Sequence, residues 1–327
     1  MAYTSGTCTD QFDLLGKIRN FLSDNGWTIN LYATDTLTYY TYGQEKSSSA
    51  KRLHATKNGL YLNFRSHQDT MPSEAFPTSS HTGIAYNLST GFNQSSNWDK
   101  QPGYPAIALN GLAVAAMLSF SSAASYRMFL WDSPFTLFVY LKISNTTFAQ
   151  MYFGTVSPKY GNWSGGNLFL SSTRQASANY TGSFLNPSPG YYIGSLNITD
   201  AGIVPSGNPW PTSGEGTDNV IFPSLCVGTT ASADTANTSM LGPLLAAMPS
   251  AFAAPMTLLP IQPAIGRAGT SRVTLLGELP YMLLTTCAIA DMETVVSYGG
   301  SNYIILPVCI PTAGNVNPCV AVLYEGS

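Results

Sequence analysis

Charge is what this sequence has least of. Asp, Glu, Lys and Arg together make up 9% of 327 residues, where an ordinary soluble domain carries about 25%. The formal charge of −3 leaves no basic field of the kind that recruits nucleic acid. Histidine is also scarce, with three in the chain: His54, His67 and His81. His67 and His81 share a segment with Asp69 and Glu74, but the spacing matches no established metal site. The five cysteines (Cys8, Cys226, Cys287, Cys309, Cys319) are odd in number and contain no C-x-x-C pair. That excludes a disulfide framework and a zinc site, and predicts buried reduced thiols. Cys309 and Cys319 are spaced to face one another across a hairpin.

Long apolar runs are missing too. The most apolar stretch, Ile107 to Phe120, covers about 14 residues, and a spanning helix needs about 20, so no membrane segment is expected. The opening MAYTSGTCTD has no positive region followed by an apolar run, unlike a secretory signal. Catalytic motifs are absent as well. There is no G-x-S-x-G elbow, no phosphate-binding loop and no dinucleotide fingerprint; Gly161 to Gly166 is glycine-rich without a strand–turn–helix around it. A glycosidase needs two carboxylates across a cleft, whereas Asp291 and Glu293 read as a solvated hairpin edge. The expectation is a non-enzymatic chain with no metal and no cofactor.

The chain does have material for a core. It is 44% apolar and 12% aromatic, which excludes disorder. A folded chain of this size buries roughly three quarters of its unfolded surface. Ser, Thr, Asn, Gly and Tyr fill the polar positions, and such a neutral surface puts little repulsion between copies, so it suits burial against partners. A homo-oligomer is expected. The Asn-x-Ser/Thr sequences at Asn87, Asn145, Asn162 and Asn197 arise by chance in this composition.

Periodicity predicts an α+β protein that is mainly β. The first 25 residues read as a helix, capped by Thr9 or Asp10 and stopped at Asn25-Gly26, with Phe12, Leu15, Ile18 and Leu22 on one stripe. Trp27, Ile29 and Leu31 switch the period to strand. Leu37 to Tyr42 is a further strand, and Gly43 to Ala50 is a polar loop. Lys51 to Thr56 and Leu60 to Arg65 form a hairpin about Asn58-Gly59.

Ser66 to Pro105 reads as an ordered loop segment anchored by aromatics. Three strands follow: Tyr126 to Trp131, Phe135 to Ile143 and Phe148 to Val156, with a turn at Asp132-Ser133-Pro134. Asn167 to Ser171 is another strand. Asn186 to Asn237 is loop-dominated, and Gly242 to Met248 a short helix. Val273 to Leu276, Thr294 to Ser297, Tyr303 to Pro307 and Val320 to Tyr324 are strands, with Gly299-Gly300 as a hairpin turn. This gives an N-terminal helix on an antiparallel sheet over residues 1–105. A larger β-sandwich-like region with long loops follows over 106–327, loop-dominated at about 186–245. No fixed-period repeat occurs.

Aromatics in polar segments are the candidate contact residues: Phe92, Trp98, Tyr160, Trp163 and Trp210. Such rings stack on sugars, anchor a protein interface, or plug the end of a β-sandwich.

Several patches of the chain carry a resemblance. These are Thr7 to Trp27 (TCTDQFDLLGKIRNFLSDNGW), Lys51 to His54, Gly59 to Ser66, Ser89 to Phe92, Trp98, Gln101 to Gly103, Tyr152 to Thr155 and Lys159 to Gly166. Leu276 to Pro280 and the hairpin Val296 to Pro307 add to them. In combination they resemble a group of phage and prophage virion structural proteins, over about half of the chain. The resemblance implies a component of the neck, tail or baseplate, made in the host bacterial cytoplasm and resident in the virion. Its partners would be further copies and other virion proteins. The group offers no catalytic or ligand residues to carry over, and Tyr191 to Gly266 shows no resemblance. The alternative function is a lectin-like tail appendage that binds host surface glycans through its loop aromatics.

Overall fold

The computed structural model describes residues 1–41, 44–67, 70–71, 79–80, 82–104, 116–145, 147–160, 166–171, 193–196, 220–223, 258–266, 273–275, 277–287, 293–307 and 317–325. Strands account for 58% of the described residues. The fold is mainly β, with an N-terminal helix packed against antiparallel sheets.

Helix α1 (Gln11–Asp24) begins where the sequence predicts. Asp10 stands just outside it in extended conformation, and its carboxylate accepts the Asp13 backbone N–H at 2.8 Å, satisfying a donor that the first turn leaves open. The last turn closes when the Trp27 N–H returns to the Leu22 carbonyl at 3.0 Å. Leu14, Leu15, Ile18, Phe21 and Leu22 are the buried apolar face.

The chain then builds a five-stranded N-terminal sheet in the order Thr28–Thr41, Gln44–Lys57, Leu60–His67, Gly83–Ser89, Ala116–Ser119. The hairpin at Asn58-Gly59 is set by two residues at positive φ (52° and 78°), the conformation that a tight two-residue turn requires and that Asn-Gly supplies.

A central sheet follows, ordered Ala2–Cys8, Ala124–Asp132, Phe135–Lys142, Phe148–Thr155, Asn167–Ser171, Ile193–Leu196. Its middle strands are nearly continuous in apolar residues because both faces are covered. Alternation divides their side chains between two cores. Met128, Leu130, Leu137, Val139, Leu141, Met151 and Phe153 join the helix and the N-terminal sheet. Phe129, Trp131, Phe138, Tyr140, Tyr152 and Leu168 face the other way, onto a C-terminal sheet. That sheet runs in the order Leu259–Pro260, Met282–Cys287, Asn317–Leu323, Ser301–Pro307, Val295–Tyr298. A separate three-stranded sheet joins Val220–Pro223, Pro263–Gly266 and Val273–Leu275. The result is a layered β architecture of sandwich type, with the central sheet as the shared middle layer.

Four features depart from the sequence reading. Ala2–Cys8, for which no strand was expected ahead of the helix cap, is a strand; it pairs with Ala124–Asp132, from Ala2↔Leu130 to Cys8↔Ala124. Residues 44–50, expected as a loop, continue the strand Gln44–Lys57, whose pairing runs through Thr41↔Gln44. Gly83–Ser89, expected as part of a loop, is a strand buried along its whole length. The expected division at 105 is crossed twice: Ala2–Cys8 joins the central sheet, and Ala116–Ser119 pairs with Gly83–Ser89. The expected helix at 242–248 lies outside the described residues, as do Cys226, Cys309 and most of 186–237. Cys8 is buried, and burial pushes its thiol up to about 11.

Candidate interface and the polar network beneath it

Alternation along the N-terminal sheet sends Leu53, Ala55, Leu62, Phe64, Tyr86 and Leu88 into the core. The intervening residues, His54, Asn63, Arg65, Asn87 and Ser89, point to the opposite face and are polar. Left open, that face would be wet. It is not: His54 is 1% exposed and Arg65 0%. The segment 90–104 lies back across the sheet and covers it.

The cover is fastened by backbone and amide bonds. Thr90 and Gly91 N–H groups donate to the Pro102 carbonyl at 2.9 and 3.1 Å. Gln101 is fully buried; its Oε1 accepts from Asn93 N at 2.8 Å, and its Nε2 donates to the Asn97 carbonyl at 2.9 Å. Arg52 reaches from the sheet to the Ser96 carbonyl at 3.1 Å, and Asn87 Nδ2 to the Asp99 carbonyl at 2.9 Å. These bonds satisfy loop groups that would otherwise be buried without partners.

Beneath the cover runs a side-chain chain. Asn63 Nδ2 donates to Asn87 Oδ1 at 3.1 Å and to Ser89 Oγ at 3.0 Å. Its Oδ1 is therefore the acceptor facing His54 Nδ1 at 2.8 Å. This network assigns the imidazole proton to Nδ1 and leaves the Nε2 lone pair enclosed. Burial pulls His54 down to about 4, with the Arg52 charge adding to it and the Asn63 bond opposing it, so the ring is neutral near pH 7. Next to it, Arg65 Nε meets Asp35 at 3.0 Å. A lone imidazole with one amide partner has neither a nucleophile nor a second ligand for chemistry. Among the described residues no group of three His, Cys, Asp or Glu side chains is placed to hold a metal ion. The network holds a surface segment in place.

The candidate aromatics separate on this geometry. Phe92 is half-buried, its ring 5.2 Å from His54. Trp98 is 2% exposed; it is no exposed stacking surface, because the polar loop residues around it bond outward or to the sheet while the ring goes in. Tyr160 lies elsewhere, half-buried between the central and C-terminal sheets. Its hydroxyl donates to the Glu278 carboxylate, accepts from Gln262 Nε2 at 3.2 Å, and is held above the usual phenol range chiefly by the Glu278 bond. Trp163 and Trp210 lie outside the described residues, as do Asp69, Glu74, His81 and Asp291.

The sequence reading missed a different exposed feature. Val295–Tyr298 is the edge strand of the C-terminal sheet. Val295 and Tyr298 are 50% and 49% exposed; with Met1 they are the exposed large apolar side chains among the described residues. The signal was present as Val-Val-Ser-Tyr, a charge-free strand before Gly-Gly, but strand type alone does not show which strand ends a sheet. No protein-family model matches the chain, and no curated protein sequence matches it. Among the described residues no helix is long and apolar enough to cross a membrane.

Proposed function

We propose that the chain is a non-enzymatic structural component of a bacteriophage virion, assembling with copies of itself and with neighbouring proteins of the neck, tail or baseplate. The observation that carries the assembly part is the edge at Val295–Tyr298, on whose outer side no strand pairs among the described residues. Natural sheets blunt their edges with Lys, Pro or bulges to prevent pairing with other chains. This edge is short, at four residues, but it carries no Lys or Pro, its pairing to Ser301–Pro307 has no register shift, and it presents two large apolar side chains to solvent. An edge of that kind is suited to strand addition by a partner. The low charge of the whole sequence agrees with surfaces that end up covered, and the phage assignment rests on the resemblance of the patches quoted above.

Sedimentation velocity of the purified chain tests the assembly part. A defined multimer that Val295→Lys shifts towards monomer, without lowering the melting temperature, supports it. A monodisperse monomer that never joins a particle overturns it.

The alternative, a glycan-binding appendage acting through loop aromatics, loses Trp98 as a stacking surface because the ring is buried.

A further inference from the structure

A second surface feature lies at the end of the central sheet, where the turn after Ala124–Asp132 meets the start of the strand Met282–Cys287. A cleft of about 390 Å³ opens there, lined by Asn25, Leu130, Trp131, Asp132, Ser133 and Tyr281 among others. That volume falls within the roughly 300–1,000 Å³ of small-molecule sites.

Trp131 and Tyr281 on the cleft wall belong to a stack of three rings, the third buried behind them. Phe129 lies parallel to Trp131 (5.9 Å, 5°), and Trp131 to Tyr281 (4.7 Å, 9°). Trp131 is thus covered on both faces, and Tyr281 ends the stack half-exposed. Tyr281 is held there at a cost. Its φ of 66° is an outlier for a bulky side chain, a strain of the kind that collects at functional sites. Two bonds keep it in place: its hydroxyl donates to the Ser133 carbonyl at 2.5 Å, and its own carbonyl accepts the Leu323 N–H at 2.9 Å.

The polar rim is rich in acceptors. Asp132, 59% exposed, uses Oδ1 on Lys57 Nζ at 2.8 Å, and a carboxylate has further lone pairs to offer. Asn25 spends its Nδ2 on the Phe21 carbonyl at 2.7 Å, so its Oδ1 is the end that remains. Ser133 adds a hydroxyl. Trp131, whose buried indole N–H has no acceptor among the described residues, lines the same cleft. Lys57 neutralises the Asp132 carboxylate, so the acceptors left on the rim favour an uncharged ligand that donates many hydroxyl bonds. A flat ring beside it favours a ligand with an apolar C–H face.

We propose that this cleft binds a neutral saccharide, with the ligand's ring face against Tyr281 and its hydroxyls on Asp132, Asn25 and Ser133. This site is independent of the strand-edge assembly reading, and either can fail without the other.

Saturation-transfer NMR tests it, with the methyl glycosides of glucose, galactose and N-acetylglucosamine as probes and glucuronate as the anionic control. The expected result is transfer to the ring protons of at least one neutral glycoside and none to glucuronate. Affinity should fall about tenfold or more, the equivalent of about 1.4 kcal/mol, in Tyr281→Ala and in Asp132→Ala, and persist in Tyr281→Phe. Asp132→Ala alters an exposed turn residue, so it reads the site even if Tyr281→Ala fails to fold. No transfer from any neutral glycoside, equal transfer to glucuronate, or binding unchanged in Asp132→Ala overturns the proposal.

Discussion

His54 and Asn63 face each other on neighbouring strands, with imidazole Nδ1 2.8 Å from the amide oxygen, under a loop whose Phe92 ring lies 5.2 Å from the imidazole. Because the ring is buried and neutral, stability depends on pH with a fixed sign. Burial takes His54 from 6.5 to about 4 in the folded chain, so unfolding favours the protonated ring. The stabilisation is complete above pH 6.5, shrinks as pH falls through the window, and is gone below about 4. A gap of that size corresponds to about 3 kcal/mol. Carboxylates titrate in the same range, so the comparison is with His54→Gln, which cannot titrate. Wild type is expected to lose about 3 kcal/mol more than the variant between pH 6.5 and 4 in urea unfolding. A His54 ring that titrates near 6.5 by NMR contradicts this account.

Asn63 is the hub of the same network, bonding His54, Asn87 and Ser89 at once. Asn63→Leu fits the space but leaves three buried polar groups short of a partner. The expected loss is on the order of 3 kcal/mol, with the loop loosened first. With the other four tryptophans replaced by Phe, Trp98 fluorescence reports the loop and circular dichroism the sheets; a red shift of Trp98 before loss of strand signal is the expected order. Simultaneous loss by both probes with no change in midpoint counts against a hub.

Local grammar made much of this fold legible. Asp10 and Asn25-Gly26 bounded the helix, Asn58-Gly59 and Gly299-Gly300 marked hairpins, and the meander from Ala124 to Thr155 was visible in its apolar runs and its turn at Asp132-Ser133-Pro134. Pairings between distant segments were not legible. Ala-Tyr-Thr-Ser-Gly-Thr-Cys has little apolar alternation, because its partner 116 or more positions away supplies the reason for it to be a strand. Gly83–Ser89 hid for the opposite reason: Asn87 and Ser89 look like loop residues until Asn63 and the 90–104 segment give them buried partners. Trp98 read as a contact residue because its sequence neighbours are polar, and those neighbours turn out to be what fastens the loop over it.

The junction between the central and C-terminal sheets depends on a close backbone approach at Gly277. Its φ is 148°, and a Cβ there would stand 2.2 Å from the Pro158 carbonyl oxygen and 2.5 Å from Val156 Cγ1. The flanking bonds, Ser157 N–H to Glu278 carbonyl at 2.9 Å and Glu278 N–H to Pro158 carbonyl at 3.1 Å, need that approach. Gly277→Ala is expected to cost on the order of 3 kcal/mol and to expose Tyr160 to quenchers and proteases near residue 158. An unchanged melting temperature contradicts the close approach.

Glu293 links the same two sheets at another point, meeting Lys142 at 2.7 Å and Arg127 at 3.6 Å. All three side chains are about a third exposed or less, so the pairs together contribute only about 1 kcal/mol. Its backbone φ of 64° costs about as much. Glu293→Gln keeps the strain and loses the charge, and is expected to destabilise by about 1 kcal/mol and to weaken the salt dependence of stability. Glu293→Gly relieves the strain while losing the pairs, and is expected to be close to neutral. Urea midpoints at low and high salt distinguish the two; equal destabilisation by both variants contradicts this balance.

Membership of the particle is the central claim. Gold-labelled antibody against the chain, applied to intact virions of the phage or induced prophage that encodes it and viewed by electron microscopy, addresses it directly. The account predicts label at a fixed place on the neck, tail or baseplate of every particle, in constant number. Particles that bear no label, while the chain remains in the lysate as free protein, contradict it.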